Sequence, residues 1–160
     1  MLALSAGALA TGCSRTATAP ELAYTLLDGR QGSFAALRGQ VVLVSFWASQ
    51  CAPCVAAMPS LVALHAALQA RGLHMLAVAM QHDPPAAVWQ FAQNRGLPFG
   101  VVIDNTGAIA RGFGDVSVTP TSILVDRQGR IARRFVGKLA DGALQSMIEQ
   151  LLAAPADSNA

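Results

Sequence analysis

Two cysteines separated by two residues, Cys51-Ala52-Pro53-Cys54, are the densest concentration of chemistry in the chain. Thiols at this spacing serve as half of a zinc site, as a structural bridge or as a redox pair. Zinc needs four ligands, usually supplied by a second cysteine pair or a histidine pair. The third cysteine, Cys13, lies far upstream, and His65, His74 and His82 form no H-x3-5-H pair, so no metal is expected. A bridge across so short a loop removes little unfolded-chain entropy and is a poor staple. The context favours a redox pair. At a helix start the first thiol faces unpaired backbone N–H groups and the positive dipole end, which stabilise a thiolate. The second thiol, one turn along, is close enough to resolve a mixed disulfide. Pro53 suits a first helical turn, where its missing N–H is no loss. Cys51 is therefore expected to be the exposed nucleophile and Cys54 the buried resolving thiol. No cofactor beyond their own disulfide is expected.

The flanking elements must hold these sulfurs. Residues 41–47 form a continuous apolar run rich in β-branched side chains, as in a strand buried on both faces. Residues 53–70 carry Met58, Leu61, Leu64 and Leu68 at helical spacing, with Pro59 as a kink and Gly72 as the stop. Residues 73–80 read as the next strand. Asp83 with Pro84 and Pro85 opens a helix that presents Val88, Phe91 and Ala92 and stops at Gly96. Residues 99–103 are a short strand and 108–113 a helical turn. Strands over 121–126 and 131–136 are close enough to form an antiparallel hairpin. Leu144, Met147, Ile148, Leu151 and Leu152 make the apolar face of a last helix. Near the start, residues 22–26 alternate before Asp28-Gly29, as in an edge strand or half a hairpin, and Ser33 can cap a short turn over 34–37. The order predicts an α/β fold of three layers, a central mixed sheet with helices on both faces.

The chain has 160 residues, enough for one domain with a short appendage. With 53% hydrophobic and 12% charged residues, intrinsic disorder is excluded. A net charge of +2, with basic residues scattered, gives no footprint for nucleic acid. Residues 1–14 are uncharged, and Ala10-Thr11-Gly12-Cys13 resembles the lipobox of bacterial lipoproteins. That likeness implies export to the periplasm and a lipid anchor on Cys13. It departs from the pattern at Ala10, where Leu is usual, and in lacking a basic residue ahead of the apolar run. The expected divisions are a signal segment over 1–13, a flexible tether over 14–20, a domain over 21–153 and a disordered tail over 154–160.

The segment Phe46-Trp47-Ala48-Ser49-Gln50-Cys51-Ala52-Pro53-Cys54, followed by Met58-Pro59, resembles the active-site stretch of the thioredoxin superfamily. Val118-Thr119-Pro120-Thr121, and then Gly129-Arg130-Ile131, are similar to its cis-proline loop and terminal hairpin. Residues 84–103 look like the helix–strand insertion of the TlpA/ResA-like branch, redoxin-type thiol:disulfide oxidoreductases that are exported and membrane-tethered. The resemblance covers residues 21–152. It implies a thioredoxin-like fold, with Pro120 cis against the dithiol and Trp47 covering it. The Thr119 backbone would then receive an extended substrate segment beside Cys51 by strand addition. It further implies reduction of selected protein disulfides, such as those of apocytochrome c or metal-centre assembly factors, with electrons from a membrane thiol carrier.

The chain departs from that family in places. No Asp, Glu, Lys or Arg occurs between Arg38 and Arg71. Ser45 stands where thioredoxins carry a buried Asp, and Ala57 where many TlpA/ResA-like proteins carry a Glu; these carboxylates are thought to relay the buried thiol's proton. Gln50 replaces the Trp common before the first cysteine. His65, three turns along the helix, is expected to be a surface or core side chain rather than a base. A Cu(I) carrier remains an alternative, with His82 as a third ligand beside two thiolates. A peroxiredoxin would need P-x-x-x-T-x-x-C, but Val44 and Ala48 hold those positions before Cys51.

Overall fold

The strand β3, Val41–Trp47, buries all seven of its side chains. In the computed structural model, which describes residues 17–137 and 141–155, it is the centre of a five-stranded sheet. The segment 1–13 with Cys13, residues 14–16 and the tail beyond 155 lie outside the described residues. β3 pairs in parallel with β4, Leu73–Ala79, which pairs in parallel with β5, Gly100–Ile103. Its other edge pairs antiparallel with β6, Thr121–Val125, and β6 with β7, Ile131–Val136. The order β5-β4-β3-β6-β7 makes the sheet mixed, as the alternation of elements predicted.

Side-chain alternation divides β3 between two cores. Val41, Leu43 and Trp47 face a cluster with Cys54, Met58, Leu61 and Leu68 of helix α1, Ala52–Leu68. Val88 and Ala92 of α2, Pro85–Arg95, and Leu144, Ile148 and Leu152 of α4, Asp141–Ala153, close the same cluster. Val42, Val44 and Phe46 face the opposite cluster, with Phe34 and with Ile109 and Phe113 of, or just beyond, the short α3, Ala108–Gly112. Helices thus cover both faces of the sheet. By length and composition, the stretch Ala52–Arg71 could cross a membrane. Its buried stripe of Cys54, Met58, Leu61, His65 and Leu68 is instead packed in the protein.

The early residues form a separate two-stranded sheet of β1, Ala23–Thr25, and β2, Gln31–Ser33. Gly32 is required there, because an added Cβ would meet the Tyr24 ring at 2.7 Å. Ser33 Oγ accepts the Ala36 N–H at 3.2 Å, supporting the turn predicted over 34–37. Residues 17–20, expected within the tether, differ from that reading. Ala19 N–H donates to Gly129 O at 2.8 Å, and Ile131 N–H to Ala17 O at 2.7 Å. Main-chain bonds dock this stretch, with Ala19 packed against the core beside them, and N–H and C=O groups that every residue carries leave no sequence signal.

His65 is a core residue, 8% exposed, with its ring edge-on to Phe99 at 5.7 Å. Its Nδ1 and the Nε2 of His74 are buried without a hydrogen-bond partner among the described residues. Burial pushes both imidazoles below their ordinary 6.5, and the two rings oppose each other's charge at His74. The unfolded chain therefore binds these protons more readily, so stability present above about pH 6.5 is lost as the pH falls. Urea unfolding should show a lower midpoint at about pH 5.5 than at about pH 7.5. An equal drop in a His65→Gln, His74→Gln variant would assign the effect to other groups.

Candidate active site

β3 ends at Trp47, and the chain turns into α1 through Ala48 to Cys51, with Cys51 N–H donating to Ala48 O at 3.1 Å. Cys51 is the N-cap of α1, and its Sγ accepts the Cys54 N–H at 3.3 Å. Pro53 lies in the first turn, which contains no acidic residue. Cys51 and Cys54 are joined in a disulfide with S–S 2.06 Å and Cα–Cα 5.2 Å. The two sulfurs are unequal in access: Cys51 is half-buried and Cys54 is 2% exposed.

The elements on either side of β3 complete the site. Pro120 follows a cis peptide bond from Thr119, immediately before β6. Val118 O accepts the Thr121 hydroxyl at 2.7 Å, and Pro120 O accepts Gly137 N–H at 2.8 Å. Among the described residues, no hydrogen bond takes up the Thr119 N–H or C=O. Trp47 is 1% exposed and packs on Phe91 of α2 at 4.9 Å, and its Nε1 has no partner among the described residues. Trp89, by contrast, is 53% exposed and lines a surface groove with Leu27 and Phe99.

A cavity of about 20 Å³ lies against Cys54. Ser45, Ala57, Pro120 and Ser122 line it, and among the described residues no carboxylate does. Ser45 and Ser122 stand directly opposite each other across the β3–β6 pair, each 4% exposed. Its volume suffices for one water, which needs about 10–15 Å³ and polar partners.

One residue of this site departs from the sequence expectation. Asp83 was expected to open α2, but Pro84 takes the N-cap position with no side-chain bond. The Asp83 carboxylate turns back to the redox loop. Ser49 N–H donates to its Oδ2 and Ser49 Oγ to its Oδ1, both at 2.6 Å. The signal that could have found it is the parallel pairing of β3 with β4, which ends both strands at the same sheet edge. His82 beside it is exposed, and no three His, Cys, Asp or Glu residues converge on a metal position among the described residues. Among the described residues, His82 forms no such group with Cys51 and Cys54.

A buried central strand, a Cys-x-x-Cys disulfide capping the next helix and a cis-proline loop beside it define a thioredoxin-fold thiol–disulfide oxidoreductase. The chain belongs to the Redoxin family, whose model matches residues 15–152. Within the superfamily it is ResA/TlpA-like. It is 31% identical over 134 residues to the thiol-disulfide oxidoreductase ResA of Geobacillus thermodenitrificans, covering 84% of this chain and 76% of that one. A candidate thioredoxin of Neisseria meningitidis superposes with a TM-score of 0.79 at 34% identity, covering 85% of this chain and 90% of that one. A thiol:disulfide interchange protein of Chlorobium tepidum shares the fold with the same TM-score of 0.79 at 24% identity, covering 88% and 99% of the two chains.

Trp47 lines the cavity against Cys54, so its emission should respond to the disulfide. In a Trp89→Phe background, fluorescence should rise when dithiothreitol opens the bond. The change should vanish in Cys54→Ser, and an unchanged spectrum in the parent would remove Trp47 as a cover of the sulfur pair.

Proposed function

We propose that the protein reduces selected protein disulfides, with Cys51 as nucleophile and Cys54 as resolving thiol. The unequal burial of the two sulfurs carries this reading. The Cys51 thiolate, stabilised at the start of α1, attacks one sulfur of a substrate disulfide. The other substrate sulfur leaves as a thiolate and takes up a proton. Cys54 then loses its proton and attacks the Cys51 sulfur. The second substrate thiol is released, and two electrons have passed from the dithiol to the substrate. A membrane thiol carrier restores the dithiol.

Thr119 and Pro120 would receive the substrate, since the free Thr119 backbone suits strand addition to an extended segment. Trp47 would cover the pair and Pro53 would hold the first turn. The proton of Cys54 would leave through one water held by Ser45 and Ser122, because no carboxylate among the described residues lines the cavity. The lipobox-like Ala10-Thr11-Gly12-Cys13 supports work in the bacterial periplasm, with Cys13 as the lipid-anchored residue. Apocytochrome c and metal-centre assembly factors are the substrate classes that the family likeness favours.

Replacing Cys54 by Ala should trap substrates as stable mixed disulfides on Cys51. Diagonal electrophoresis and mass spectrometry of such adducts check this; adducts that persist in Cys51→Ser would displace Cys51 as the nucleophile. An Ala57→Glu variant places a carboxylate on the cavity wall and should speed oxidation of the reduced protein several-fold in stopped flow, by general base catalysis. Equal rates in the two proteins would defeat the reading that the missing carboxylate slows the resolving step.

A further inference from the structure

Asp83 is 34 residues from Ser49 in the chain and 3% exposed, yet both of its oxygens are spent on the turn that carries Cys51. Among the described residues it has no ion-pair partner. A buried carboxylate is costly and is tolerated where its oxygens are bonded. Here both accept from one serine. A third bond ties the same two loops together, Met80 N–H to Trp47 O at 3.0 Å. The redox turn is thus hung from the segment between β4 and α2.

We propose that Asp83 is a positioning residue that sets the reduction equilibrium of the Cys51–Cys54 pair by clamping Ser49. This rests on the reading above only in requiring that the pair cycles. With the disulfide closed, the S–S bond itself fixes Cys51 against Cys54. With the bond open, the turn is kept in register by the Asp83–Ser49 contacts. Holding two reacting groups in place raises their effective concentration, which favours the closed disulfide. The carboxylate's negative charge acts in the same sense, since it opposes a thiolate two residues beyond Ser49. Loss of Asp83 therefore shifts the balance toward the dithiol, whichever contribution is larger.

The test is equilibration of the full chain in glutathione buffers. Two glutathione thiols give two electrons and two protons to the Cys51–Cys54 bond and leave as one glutathione disulfide. The dithiol fraction is read by alkylation and mass spectrometry. Asp83→Asn keeps the side-chain shape and should raise the equilibrium constant for reduction about tenfold, on the order of 30 mV for a two-electron couple. Ser49→Ala keeps the carboxylate and the backbone bond and should shift it the same way by less. If Asp83→Asn does not fold, as judged by circular dichroism, Ser49→Ala decides alone. Constants within about twofold of the parent in the folded variants, or a shift toward the disulfide, would overturn the proposal whatever happens to the melting temperature. A parent that never exchanges with glutathione would instead refute the oxidoreductase cycle itself.

Discussion

The burial of β3 on both faces is the constraint from which the redox end of the molecule follows. A strand with all seven side chains buried must have both edges paired and both faces covered. The parallel partner β4 ends at the same sheet edge and leads into Asp83. The antiparallel partner β6 begins there, immediately after Pro120. Three loops therefore meet where Trp47 hands the chain to Cys51. None of them is long, and none has to reach across the protein.

This central part was readable because it rests on side-chain signals. The run of β-branched residues in 41–47 and the spacing of Met58, Leu61 and Leu68 reflect burial, and burial leaves a periodic trace. The short link between β6 and β7 likewise announced a hairpin. The contacts without a local sequence signal depend on tertiary closure or on main-chain groups. Asp83 before two prolines looks like a helix opener, and only the strand register sends its carboxylate to Ser49. Ala17 and Ala19 dock through N–H and C=O groups that every residue carries. The small space against Cys54 forms from residues of separate elements, including Ser45, Ala57, Pro120 and Ser122. No local pattern encodes such a gap.

The absence of charge between Arg38 and Arg71 has a structural counterpart. Ala52, Pro53, Ala56, Pro59 and Ser60 form exposed positions of α1 near its start, and all are small and neutral. The nearby carboxylate comes from another loop and is directed at a backbone amide and a hydroxyl rather than outward. A neutral helix surface gives little electrostatic preference for one polypeptide over another, so discrimination has to come from shape and side-chain fit, with main-chain contacts supplying affinity. The exposed Val118 and Val136 add apolar area around the Thr119–Pro120 loop, with Gly137 bonded to Pro120 between them.

The docking of Ala17 and Ala19 at Gly129 and Ile131 also fixes a polarity. Those contacts lie at the β6–β7 turn, whereas Pro120 and the sulfurs lie at the other end of β6. Ala17 and Ala19 therefore lie at the pole of the sheet away from the sulfurs. The sulfur end is thereby left clear of the stretch that leads into the domain.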